Sequence, residues 1–431
     1  MAERLFVAVP PAASMADADA QTRAQLTYRY ERWRAVASGI IETAGSTFLV
    51  LIAVRWYHAG PVAKALVASG TSVGLLLGPW FVKRVERWGG EIGVAAAHVS
   101  LVGAVGFSIM ALCVIEPVFV LGSVVSMACA SAVIPLLTQI YQENYPESDR
   151  GWLFSRTMVV RIATAAVFSH VAGRLLTNRI GYFPVLLLLF ACAYLVSAYC
   201  LGKIPSRRLV ASGATHPFGA LKYAKHDALF RQTLIAWMFL GFANLMMVPL
   251  RVEYLANEKY GVTIRGAQLS VGAIALLTGV LPNIARLVMN PVWGWLFDRM
   301  NFFALRIILN MGFMVGILAF FTTDSLAGLI AGALVYGVSI AGGDVAWSLW
   351  VTKFAPAERV ADYMAVHTFF TGLRGVIAPV VGFQLASVLP LPTIGWLSAG
   401  LIMVACLILI PEVRSGGLAR RAPALVEEVS E

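Results

Sequence analysis

Twelve apolar stretches, each long enough to cross a bilayer, run through this chain from about Val36 to about Ile410, joined mostly by loops of a few residues. Nothing else in the sequence constrains the fold as tightly. A hydrocarbon core of ~30 Å takes about 20 apolar residues per helix. A backbone amide in lipid must find its partner within its own segment, so every span is helical. The chain reads as an all-α membrane protein with spans near 36–54, 61–82, 91–113, 116–140, 155–176 and 181–201, then 229–252, 267–297, 304–322, 326–350, 364–388 and 392–410. These group into two six-helix bundles, 35–202 and 229–411, with an N-terminal segment 1–34 and a tail 412–431. Residues 203–228 form a basic linker, in which Phe218, Leu221 and Leu229 would make the apolar side of a short surface helix; a plain loop is the other reading.

Composition agrees with this class. The chain is 59% apolar and 13% charged, against about 25% charged in an ordinary soluble domain. A net charge of +10 suggests nucleic acid until its placement is considered. With a cytoplasmic N-terminus, 23 Lys and Arg residues, from Arg4 to Arg421, fall in inside segments; only Arg55, Lys64, Arg174, Arg179, Arg251, Lys259 and Arg265 fall outside. That asymmetry is a topology signal, and it puts both termini and the linker in the cytoplasm of a plasma (inner) membrane protein. Nucleic acid is not an expected partner. The five cysteines are scattered through the spans and suit neither a disulfide framework nor a metal site. No signal peptide is read at the N-terminus, so the first span is expected to be retained, with Met1 or Met15 as the start.

The two halves look related, as an internal repeat requires. After the second span the chain reads Pro79-Trp-Phe-Val-Lys-Arg-Val-Glu86-Arg87, and after the eighth Pro291-Val-Trp-Gly-Trp-Leu-Phe-Asp298-Arg299. Pro146-Glu-Ser-Asp-Arg150 follows the fourth span and Pro356-Ala-Glu-Arg359 the tenth; Gly39-Ile-Ile-Glu42 in the first is matched by Gly241-Phe-Ala-Asn244 in the seventh. Three correspondences in one order, at offsets of about 200–212 residues, point to duplication.

This arrangement resembles the major facilitator superfamily over roughly residues 35–411. Gly294-x-x-x-Asp298-Arg299 is similar to the family's signature loop after the second helix of a half. The first-half copy departs from it, with Val82 in place of the glycine and Glu86-Arg87 in place of Asp-Arg. The resemblance implies secondary transport and a gating role for Asp298, Arg299, Glu86 and Arg87, with no subfamily assigned. Physically, a carboxylate at a helix end caps free amides or pairs with a nearby arginine. A plain topology anchor is the bland alternative.

Five ionisable residues lie well inside spans: Glu42, Arg161, Arg286, Asp344 and Arg374. Each costs ~2.5–3.5 kcal/mol at a helix centre, so they are expected to face the bundle interior or a wet cavity. At 1.5 Å per residue, Arg286, Arg374 and Arg161 lie about 14–17 Å from the cytoplasmic helix ends, which suggests one shared site; Glu42 lies only about 10 Å inside its span. Polar neighbours three or four residues away share their helix faces. These are Ser38 and Ser46 with Glu42, Thr157 and Thr164 with Arg161, Asn283 and Asn290 with Arg286, and His367 and Thr371 with Arg374. Trp347 follows Asp344 on one face and is a candidate for stacking on substrate; Asn244 is a further binding candidate. Arg286 and Arg374 are expected at the centre of the site, and Glu42 and Asp344 are the candidates for carrying a proton. Static pairing among these charges is the alternative. His98 and His170 read as core.

No Gly-x-x-x-x-Gly-Lys-[Ser/Thr] loop, His-Glu-x-x-His or Gly-x-Ser-x-Gly occurs, so ATP-driven pumping and membrane hydrolysis lack a motif, and no metal or cofactor is expected. The sequence is read as a monomeric secondary transporter or facilitator for a small organic solute. Three interior arginines against two carboxylates lean towards an anionic solute, with proton coupling left open. Two alternatives stand beside it: proton-driven efflux of cationic or lipophilic compounds, and a non-transporting assembly factor or receptor on the same fold.

Overall fold

The apolar runs do form helices, and their outer faces carry the side chains that a soluble protein would hide. In the computed structural model, described over residues 15–146, 149–208, 221–264, 266–323, 325–353, 355 and 360–414, twelve helices are long and apolar enough to span a membrane. They are α1 (Gln21–Arg55), α2 (Pro61–Trp88), α3 (Ile92–Leu112), α4 (Glu116–Asn144), α5 (Arg150–Asn178), α6 (Ile180–Lys203), α7 (Ala228–Ala256), α8 (Val271–Arg299), α9 (Phe302–Phe321), α10 (Leu326–Ser348), α11 (Tyr363–Val388) and α12 (Leu391–Arg414). Leu112, Leu121 and Val388 point outward, as do Trp56, Trp80, Trp88 and Trp152 near span ends, where indole rings favour the membrane interface. The expectations placed on Phe218, Arg265 and Pro356–Arg359 lie outside the described residues. Leu221–His226 does form a short helix ahead of α7.

The first helix departs most from expectation. It begins at Met15 rather than near residue 36. The stretch before Val36 looks polar, but Glu31 and Arg34 sit one turn apart and neutralise each other. Glu31 is 2% exposed; Arg34 donates to both of its carboxylate oxygens and to the Tyr141 hydroxyl on α4. A charged segment is thereby accommodated in a packed helix.

Capping residues fix four of the other starts. Asp227 accepts from the Phe230 amide, Ser270 from Ala273, Asn301 from Phe303 and Ala304, and Ser325 from Gly328, each satisfying a donor that a helix N-terminus leaves free. Between the halves, α2 packs on α11 and α5 on α8. Small residues set these approaches, as expected for α11: a Cβ on Gly372 would crowd the Leu76 backbone, one on Gly375 would strike Ser72, and one on Gly173 would crowd Ala275. Two turns are π-helical, Ala44–Phe48 in α1 and Leu276–Val280 in α8. They face each other, with the Thr47 and Thr278 hydroxyls 3.2 Å apart.

Contacts between the halves are unevenly placed. With twelve spans, the start of α1 and the end of α12 share one side, the terminal side; the other is the far side. Towards the far side, Lys64 donates to Glu253, Arg55 to Gln268 and the Leu269 carbonyl, and the Gly272 amide to Thr177. On the terminal side the hydrogen bonds among the described residues stay within a half, as in Arg34–Tyr141, Tyr363–Asp227 and Gln232 to the Ile408 carbonyl. Among the described residues, the hydrogen bonds between the halves lie at the far side and the centre, and none at the terminal side.

Candidate functional site

At mid-depth, four helices from both halves bring ionisable side chains to one point. Arg286 on α8 donates through Nε to Asp344 Oδ2 on α10 at 2.6 Å and through Nη1 to Glu42 Oε1 on α1 at 2.5 Å. The other Glu42 oxygen lies 2.9 Å from Arg161 Nε on α5, an ion pair without hydrogen-bond alignment, since that nitrogen has no hydrogen-bond partner. Asn283, one turn before Arg286, anchors to the Gly279 carbonyl at 2.9 Å and offers Oδ1 to the same guanidinium at 3.4 Å. The Arg286 side chain is 6% exposed, whereas Glu42, Asp344 and Arg161 are 28–32% exposed. Charges at this depth do not face lipid. Their partial exposure is therefore to the interior of the bundle.

Two guanidiniums meet two carboxylates here, so the network is balanced. The sequence puts Glu42 about 10 Å inside its span. Helix α1 runs back to Gln21, and Glu42 takes part in the central network.

Arg374 does not join it, which corrects the expectation of a single site centred on Arg286 and Arg374. Its face of α11 turns towards α7, where Gly241 leaves room: a Cβ there would overlap the guanidinium. Arg374 donates to the Trp237 carbonyl at 2.8 Å and to Thr371 at 3.0 Å. His367, fully buried, is ringed by Trp237, Trp347 and Trp350 at centroid separations of 5.2, 5.5 and 5.0 Å. Trp347 thus faces this second neighbourhood, while Asp344, one turn earlier on α10, serves the first. Asn244 is half-buried on α7, and its Oδ1 has no hydrogen-bond partner.

The four gating candidates lie at the terminal ends of α2 and α8. Asp298, Arg299 and Arg87 are exposed and Glu86 half-buried. None makes an ion pair among the described residues; Arg299 rests 4.4 Å from the Trp295 ring centroid.

Residues that sequence reasoning missed close the far side. Lys64 Nζ on α2 lies 2.7 Å from Glu253 Oε1 on α7, with side chains 8% and 1% exposed. Asn257 donates to that oxygen at 2.8 Å, and Lys259 approaches it at 4.0 Å. Burial pulls the Lys259 ammonium pKa down; Glu253 opposes the shift and Lys64 adds to it. In the sequence Lys64 looks like one more outside charge. Its partner is 189 residues away, and no local pattern announces the pair.

No family model matches this chain, and no curated protein matches it. Solved structures do. A point mutant of the nucleoside transporter NupG superposes with a TM-score of 0.73 at 12% identity, over 89% of this chain and 99% of that one. The unmutated NupG gives 0.69 at 12% identity, over 90% and 98%. A POT family transporter in complex with a thioalcohol-conjugated peptide gives 0.66 at 11% identity, over 91% and 96%. These are twelve-helix transporters of the major facilitator fold, and this chain has that fold.

Proposed function

We propose that the protein is a secondary transporter that moves a small polar organic solute by alternating access. The network Glu42–Arg161–Arg286–Asp344 is its responsive centre. One observation carries this reading: a partly exposed charge network joins both halves at mid-membrane, and among the described residues the further hydrogen bonds between the halves lie towards the far side rather than the terminal one. With the basic excess taken as cytoplasmic, the terminal side is the inside and this conformation faces inward.

Glu42 holds Arg161 of its own half and Arg286 of the other. A proton on Glu42 removes the charge that both arginines share and leaves Arg286 bound to Asp344 alone, which weakens the tie between the halves. That is the step through which proton movement and solute movement are linked. The balanced charge of the network favours a neutral or zwitterionic solute over a net anion, in keeping with neighbours named for nucleoside transport and for a peptide complex.

The experiment is a thermal-stability screen of the purified protein against nucleosides, dipeptides and monocarboxylates, because a ligand of the folded state raises its apparent stability. Uptake of the stabilising compound into proteoliposomes follows, with and without an imposed proton gradient. The wild type is expected to accumulate it with the gradient, and Glu42→Gln to exchange it without accumulation. Gradient-driven accumulation by Glu42→Gln would remove Glu42 from coupling. A wild type that moves none of the panel would overturn the transport reading.

A further inference from the structure

The second neighbourhood in the C-terminal bundle has an excess of buried donors. Arg306 on α9 is 2% exposed, Arg374 on α11 3%, and His367 0%. All three gather around one indole: the Arg306 guanidinium carbon lies 3.7 Å from the Trp237 ring centroid, that of Arg374 5.9 Å, and the His367 ring 5.2 Å. Both terminal nitrogens of Arg306, Nε of Arg374, both ring nitrogens of His367 and the Trp237 indole nitrogen lack a hydrogen-bond partner. Among the described residues no carboxylate forms an ion pair with either arginine. The central network differs: there each guanidinium meets an acid.

We infer that Arg306, Arg374 and His367 enclose a binding site for a small anion. Guanidinium stays charged in proteins and presents a fork that matches an anion's acceptors. A buried charge persists when it is paired, and stacking on Trp237 supplies attraction without accepting these N–H groups in hydrogen bonds. The indole and imidazole N–H groups add neutral donors of the kind that complete an anion's shell. With all three residues almost wholly buried, such a site excludes a bulky solute and suits a halide, or the carboxylate or phosphate group of a small molecule. Gly241 is part of the construction, because a side chain there would take the space of the Arg374 guanidinium. The inference is independent of the transport reading; an anion held here stabilises the bundle whether or not a solute crosses it.

The test uses the full chain in detergent, exchanged exhaustively into sodium gluconate. Its melting temperature is then followed as chloride, bromide, acetate or phosphate replaces gluconate at constant ionic strength. A saturable rise of several degrees is expected for at least one small anion. A response to halide marks a resident ion, and a response confined to acetate or phosphate marks the charged group of a ligand. Ion chromatography of the acid-denatured wild type catches an anion too tightly held to exchange and is expected to find about one per chain. In Arg306→Met and Arg374→Met the anion dependence and the co-purified ion should both be lost, while Arg299→Gln at the surface keeps them. If no anion raises the wild-type melting temperature and none co-purifies, the site does not exist. In that case Arg306→Met should melt at least as high as wild type in gluconate, because it removes an uncompensated buried charge.

Discussion

The pair Lys64–Glu253 shows how much can rest on one contact between the halves. The Glu253 carboxylate is 1% exposed, and with Lys64 replaced by Ala it loses its nearest cation; breaking such a buried pair removes about 3–5 kcal/mol. Lys64→Ala should therefore lower the melting temperature, and adding Glu253→Gln should restore most of the loss in a double-mutant cycle. Additive losses would show that the two residues act separately. Arg286 follows a different logic because it serves two acids. Arg286→Ala should destabilise more than Asp344→Ala does, and the double variant should recover only part, since Glu42 keeps Arg161 but loses its stronger partner. The polar stripe Asn283–Arg286 is legible in the sequence, as are the charged positions 42, 161 and 344. Which arginine meets which acid is not. A stripe fixes the face of a helix, but the neighbour opposite that face is set by packing over hundreds of residues.

At the scale of the helix, hydropathy reveals every span because lipid imposes a length that sequence cannot hide. Where a helix begins is less legible, since a polar stretch such as 21–34 can continue a helix, with Glu31 and Arg34 paired where it packs against α4. A start near residue 36 places Glu42 close to a helix end, although its charge already marks it as an interior residue. The small residues of α11 announce close packing in the sequence, whereas Gly241 on α7 stands out there only as part of a repeat. Gly241→Ala places a methyl where the Arg374 guanidinium lies. Overpacking of this kind costs about 1–3 kcal/mol, so the variant should melt lower than wild type while Gly400→Ala, which meets open space, should not. Equal melting of the two variants would mean that Arg374 has room elsewhere.

For the whole molecule, the uneven ties between the halves make a testable statement about motion. Arg55 Nη1 lies 3.5 Å from Gln268 Oε1 across the far side. Arg55→Cys with Gln268→Cys should cross-link with a short bifunctional reagent, arrest solute exchange, and regain it on reduction when the reagent carries a disulfide. Exchange that continues in fully cross-linked protein would mean that the far side need not open. The two π-helical turns have a separate consequence, for the length of the chain itself. A π turn closes its hydrogen bonds over five residues rather than four, so each of these helices carries one surplus residue between flanks that otherwise keep α-helical phase. Deleting Gly45 should let α1 close into an uninterrupted α-helix, with Glu42 and Leu49 still on their present sides. Deleting Val50, outside the turn, should rotate everything beyond it by about 100° and turn the buried run Leu51–Val54 out of its packing. These helices thus hold a position where the chain can be shortened without being re-aimed, and it lies where Thr47 meets Thr278 across the boundary between the halves.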